Sequence, residues 1–345
     1  MRTIIVLFIA IGYASTMSPL DGNYEVLRHL GYDPSWFGLQ ILFCLSGYLA
    51  VRSLTRHGSS LRYLASRSFR NGPLLVAYTL AAITIIYPIF CTSDASFAQE
   101  VVKLSSYFFK TILCIDPGSR IPGLLDNAKY MCLIQGAIWT FRWGALAHIA
   151  MALGWRFGIF KSKHVLLGLA IFATLFYGVA GHFAAKHNYE SLFPAFAALR
   201  LSYAFLAGAA LYGWQDKLPQ KGLAKASLLV GMLCLASFQY TNVPWTPGIE
   251  IAGTFFWTYL AIVIIQTPMR VTAWMNNWPN IVLGLYLGNW PVSQTLILLY
   301  PDLHGWALIG TSVLTTTLIA IFTHAAISGH INRWASMALK RRVTY

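Results

Sequence analysis

Arg67 and Arg70 close a basic segment that also carries Arg52, Arg56 and Arg62. On a helix, residues three apart share a face, so these two guanidinium groups can hold one anion between them as bidentate partners of phosphate oxygens. The same arginines have a second use. Basic residues between apolar runs orient a membrane chain and meet anionic lipid headgroups. Arg2 and Tyr13 form another pair. Eleven residues are about three helical turns, roughly 16 Å, so both side chains point the same way, Arg2 at one mouth and Tyr13 halfway up the same cavity. Arg142, His148 and Arg200 lie within apolar stretches, where ionisable groups are costly and usually functional. The arginines suit a substrate anion or, equally, backbone carbonyls and a snorkelled pose. His148 reads either as a base or as a hydrogen-bonded core histidine.

The elements that would position these groups are membrane helices. The chain has 345 residues, of which 57% are hydrophobic and 10% charged, against a typical charged share of about a quarter. Lipid is the solvent that tolerates such a surface. Apolar runs near 1–19, 35–54, 72–91, 138–155, 164–184, 192–214, 225–240, 248–267, 279–300 and 304–328 make about ten spans in one domain, residues 1–345, an all-α integral membrane bundle. The first run also resembles a signal peptide with a cleavage region at Ala14-Ser15, but it stays apolar to Met17 and reads better as a retained helix. The stretch 92–137 reads as one long loop with turns at Pro117-Gly118 and Pro122-Gly123. Ser46-Gly47 inside the second run would let another backbone approach closely.

With the first residue in the cytoplasm, Lys and Arg divide 17 to 6 in favour of the cytoplasmic side, and ten spans return the C-terminus there. The net charge of +14 is therefore topological and argues against nucleic acid as a partner. Ten of the eleven carboxylates fall in loops, and Glu250 stands at the outer end of its helix, which disfavours an ion-coupled transporter. Cysteines 44, 91, 114, 132 and 234 form no metal motif; Cys114 and Cys132 could bridge within one loop, but the set reads mainly as buried small hydrophobes. The nine histidines are dispersed, and no metal site is expected.

Several segments, in order, resemble the acyltransferase 3 family of integral-membrane O-acyltransferases of bacterial surface polysaccharides. FGLQILFCLSGYLAVRSL is similar to that family's Leu-Ser-Gly-Phe-Leu helix, and YLASRSFRNGP to its Arg-x-x-Arg element before a proline. IWTFRWGALAH, LRLSYAFLAGAAL and LGLYLGNWPV resemble three later segments. The resemblance implies transfer of an acyl group, typically acetyl from acetyl-CoA as co-substrate, to a hydroxyl of a glycan at the cytoplasmic membrane. It implies donor binding by Arg2, Arg67 and Arg70, and an acceptor side bordered by Trp139, Thr140, Arg142 and Asn289. The family's first-helix histidine, its general base, corresponds to Tyr13; its later glutamate, aromatic and histidine correspond to Gly144, His148 and Asn289, and its second-helix aspartate to Gln40. Tyrosine is neutral at pH 7 and a poor base. The catalytic candidates are thus Tyr13, orienting the acceptor, and His148, as a relocated base. The alternatives are a family member that binds donor or glycan without turnover, and a transporter of glycan or lipid-linked sugar.

Overall fold

The computed structural model of the protein describes residues 2–17, 34–92, 95–187 apart from 127 and 129, 193–218, 222, 225–231, 247–266 and 281–328. Its regular structure is helical, with no strand among the described residues. In chain order these are α1 (Arg2–Met17), α2 (Pro34–His57), α3 (Ser60–Ala81), a π-helical turn (Ala82–Ile86) leading into α4 (Tyr87–Phe90), and α5 (Phe97–Ile112). Then follow α6 (Thr140–Arg156), α7 (Lys163–His187), α8 (Phe193–Gly213), α9 (Pro247–Gln266), α10 (Val282–Leu299) and α11 (Gly305–Thr323).

Six stretches among the described residues are long and apolar enough to cross a membrane: Ser35–Arg56, Ser60–Phe90, Lys163–Phe183, Ala195–Gly213, Val282–Leu299 and Gly305–Ile327. Their outward faces agree. Phe172 and Phe176 on α7, and Leu314 and Phe322 on α11, are exposed in a pattern that only lipid would cover. The fold is that of a multi-pass helical membrane protein. The expected first and fourth runs form the shorter helices α1 and α6, and the eighth forms α9, whose apolar stretch Glu250–Ile264 is short. Most of the 225–240 run, Cys234, and the basic residues Arg28, Lys129, Lys221, Arg270, Arg333, Lys340, Arg341 and Arg342 lie outside the described residues.

Ser60–Phe90 is 31 residues of continuous helix, roughly 46 Å at 1.5 Å per residue. A hydrocarbon core of about 30 Å accommodates only part of it. The span from Pro73 onward suffices, leaving the turns that carry Arg62, Arg67 and Arg70 to project beyond it. These arginines therefore sit on a helix, at the spacing that puts Arg67 and Arg70 on one face.

The stretch 92–137 is not one loop. Ser96 caps α5 through a reciprocal pair of bonds in which Gln99 Oε1 accepts from the Ser96 N–H at 3.1 Å. At sixteen residues and with one polar side, α5 is invisible to a reading that looks for spans. The expected turns are present, with Gly118 and Gly123 both at φ +78°. Cys114 and Cys132 are unbridged, and burial pushes the Cys114 thiol above its ordinary value.

The chain divides into two compact units. The first comprises Met1–Ile9, Glu25–Leu64 and Leu146–Trp278; the second comprises Ala10–Tyr24, Ala65–Ala145 and Pro279–Tyr345. In the first, α2 and α8 cross backbone to backbone. A Cβ on Gly47 would collide with the Phe205 carbonyl, and one on Gly208 with the Cys44 carbonyl. In the second, α10 shows Gly284 and Gly288 to Tyr78, Thr316 and Ala320, letting α10, α11 and α3 close together. Gly47→Ala and Gly208→Ala should each cost about 1–3 kcal/mol by overpacking, read as a lower melting temperature in detergent. Gly168→Ala, in open space on α7, should not lower it.

Candidate functional site

In the second unit, two distant segments, residues 130–140 and the Tyr13 end of α1, converge on one face of α10. Tyr286, Asn289, Trp290 and Ser293 follow an i, i+3, i+4, i+7 spacing and so share that face. The segment 133–140 runs along it. Leu133 O accepts from Trp290 Nε1 at 3.2 Å and also from Gln294 Nε2. Further along, Ala137 O accepts from Tyr286 Oη at 2.7 Å, and Thr140 Oγ1 lies 2.6 Å from the same oxygen. A phenol has one proton, and Ala137 O takes it, so the Thr140 hydroxyl donates to Tyr286. From Gln294 to Tyr286 is eight residues, roughly 12 Å of helix. The expected fourth span thus begins well along α10: the chain reaches Thr140 through irregular backbone and a 3₁₀ turn, Gly136–Trp139.

Irregular backbone is tolerated at such depth only where protein covers it. Gly136 shows how closely. Any Cβ there would enter the Trp290 indole. Tyr13 closes the cluster from α1. Its ring meets Trp290 edge-on, with centroids 5.3 Å apart, and its side chain stands near Tyr286. Tyr130 packs on Trp290 at 5.0 Å. Asn289 is 1% exposed, and neither amide atom has a hydrogen-bond partner among the described residues; the Ser293 hydroxyl is equally buried and unpartnered.

The first unit carries a buried polar network that the sequence reading missed. Glu250, in the first turn of α9, is fully buried and accepts from Gln40 Nε2 on α2 and from Tyr177 Oη on α7, the latter at 2.7 Å. Gln40 is locked by a closed ring of three side chains. Its Nε2 donates to Tyr203 Oη at 3.0 Å, Tyr203 donates to Thr254 Oγ1 at 3.0 Å, and Thr254 donates to Gln40 Oε1 at 2.5 Å. Arg200, 2% exposed, lies 3.4 Å over the Trp36 ring and near Tyr177 and Tyr203. Gln40 stands where the resemblance expects an aspartate. Its amide can face Glu250; a second carboxylate there would meet a like charge in low dielectric.

Of the candidates named from sequence, Tyr13, Thr140 and Asn289 gather on α10 in the second unit, and the half-buried Trp139 ends the turn beside them. Arg67 and Arg70 belong to the same unit, Arg67 half-buried and Arg70 exposed. Arg142 is exposed in the first turn of α6, 5.3 Å from the ring of Trp143, so it is not the buried group expected. Arg2 and His148 belong to the first unit. His148 Nδ1 is 2.6 Å from the hydroxyl of Tyr63, itself 1% exposed, and one turn further on Ser60 Oγ donates to Ala152 O at 2.7 Å. These two bonds clamp the start of α3 to α6, a packing use of the histidine. Tyr286 and Trp290 lay within the LGLYLGNWPV segment, but nothing in their spacing marked them as the partners of Tyr13.

No three His, Cys, Asp or Glu side chains among the described residues are grouped to hold a metal ion. Comparison of the chain with models of protein families, with curated proteins and with solved structures finds no match. Glu250→Gln keeps one acceptor, for Gln40, and presents an NH2 whose proton the Tyr177 hydroxyl can accept, so it should retain the fold. Glu250→Leu orphans its partners and should cost about 3–5 kcal/mol, visible as loss of a monodisperse peak in detergent chromatography.

Proposed function

We propose that this protein transfers an acyl group, acetyl in the simplest case, from acyl-CoA to a hydroxyl of a carbohydrate, on ten helices in the cytoplasmic membrane with both termini inside. The observation that carries this reading is the Asn289 amide, buried without a partner on the α10 face that also holds Tyr286, Trp290 and the unpartnered Ser293. Leaving such groups unpaired costs about 1–3 kcal/mol each. A sugar hydroxyl both donates and accepts, so it recovers that cost, while the half-buried Trp139 supplies a ring for its C–H surface.

Arg67 and Arg70 take the donor's phosphates at the projecting end of α3. The acceptor oxygen attacks the thioester carbonyl carbon, the C–S bond breaks, and the hydroxyl proton ends on the departing thiolate. Tyr13 orients the acceptor; Trp290 packs against Tyr13, and Tyr286 stands near it. Arg142, exposed at the first turn of α6, borders the acceptor's approach.

A second reading, donor or glycan binding without turnover, is favoured by His148. The imidazole that would replace the family's base is engaged by Tyr63 at 2.6 Å.

Three variants separate the readings. Replacing Asn289 with Leu removes an unpaired amide, so melting temperature should hold or rise, while kcat/KM for the acceptor falls by about tenfold or more; unchanged transfer would remove Asn289 from the site. Arg67→Lys with Arg70→Lys keeps the charge that sets topology but should weaken acetyl-CoA binding markedly, and equal binding would reject the donor site. Tyr13→His should create or raise acetyl transfer in membranes. An active wild type that is indifferent to Tyr13→Phe would leave Tyr13 without a chemical role.

A further inference from the structure

We infer that α5 is an in-plane helix that beds its exposed apolar side in the lipid interface, at the end of the Ser60–Phe90 span opposite the arginines. The argument starts from the sector that α5 does not bury. Around its circumference Phe97, Val101, Val102, Phe109 and, just past its end, Leu113 are exposed, with Val102 at 69% and Phe109 at 60%. The polar residues Gln99, Glu100, Lys103 and Lys110 lie on the other side, where Lys103 pairs with Glu100 at 2.8 Å, and the small exposed Ser105 and Ser106 fall within or at the edge of the apolar sector. An apolar face set against lysines is the pattern of helices that lie in the headgroup region.

Lipid, rather than a protein partner, is indicated by continuity. Leu104 and Tyr107 pack against Ile83, Ile86, Tyr87 and Phe90, the last turns of the span. On those same turns Ile85 and Ile89 are 58% and 63% exposed, and a spanning helix can only cover them with acyl chains. α5 therefore extends the lipid-facing surface of its own unit. The contact also reaches the candidate site. Tyr107 Oη donates to Gln135 Oε1 at 2.7 Å, and Gln135 directly precedes the Gly136–Trp139 turn. Burial raises the Tyr107 pKa, which keeps that donor protonated. Seating α5 in lipid thus fixes the turn that faces Trp290 and Tyr286.

The test places the photo-crosslinking residue p-benzoylphenylalanine at Val102, at Phe109 and, as the polar-side control, at Lys110, one site per full-length chain, in native membranes. After irradiation, intact-protein mass spectrometry should show phospholipid adducts several-fold more abundant at positions 102 and 109 than at 110. Equal lipid labelling at all three positions, no lipid adduct at 102 and 109, or crosslinks from them to a second polypeptide would overturn the assignment.

Discussion

A polar group that leaves water for a lipid-solvated interior has to be paired by another helix, and both units are organised by that constraint. In the first, Glu250 is held in a fully buried position because Gln40, Tyr177, Tyr203 and Thr254 arrive from four helices with donors and acceptors in the right order. The closed ring of Gln40, Tyr203 and Thr254 leaves the Gln40 amide no freedom to flip, so its N–H side faces the carboxylate. A network satisfied this completely specifies one packing of α2, α7, α8 and α9. It could form only because Gly47 and Gly208 bring α2 and α8 into backbone contact.

The second unit obeys the same constraint less completely. Ala137 O, Tyr286 and Thr140 satisfy one another, Leu133 O takes Trp290 and Gln294, and Gln135 takes Tyr107. Amid that pairing Thr111 Oγ1, Gln135 Nε2, Ser312 Oγ and Thr316 Oγ1 are also buried without a partner among the described residues, but only at Asn289 are both ends of a buried amide in that state, with Ser293 on the same helix face. A buried amide with both ends unpaired is one that a ligand can satisfy. That contrast, rather than the presence of a nucleophile or base, distinguishes the α10 face from the Glu250 network.

Several sequence expectations met a physical limit rather than a mistaken principle. Ser46-Gly47 was legible as a close-approach site because small residues in an apolar helix have few other uses; its partner on α8 was not, since nothing local names it. Arg142 and Arg200 looked alike in sequence, each a lone cation in an apolar stretch. One proved exposed beside Trp143 and the other buried over Trp36. Glu250 was rightly placed in the first turn of its helix, yet its burial depends on three other helices. α5 escaped notice because its apolar sector is split, one half against the span and the other outward, and it is shorter than a span.

Composition and apolar run lengths by themselves determined that the chain is helical and crosses a membrane several times, because lipid solvation acts on each segment independently. The i, i+3 spacing likewise determined that Arg67 and Arg70 share a face, since α3 is one helix through both. Which helices touch, and which polar groups find partners, was decided by the tertiary structure. Hydrogen bonds between residues 146, 163 or 210 positions apart leave no trace in local spacing. Tyr13 was visible through its spacing from Arg2, and Thr140 and Asn289 only through the family resemblance. Their meeting on one face of α10, with His148 held elsewhere by Tyr63, depended on how the folded helices and the irregular 133–139 segment pack.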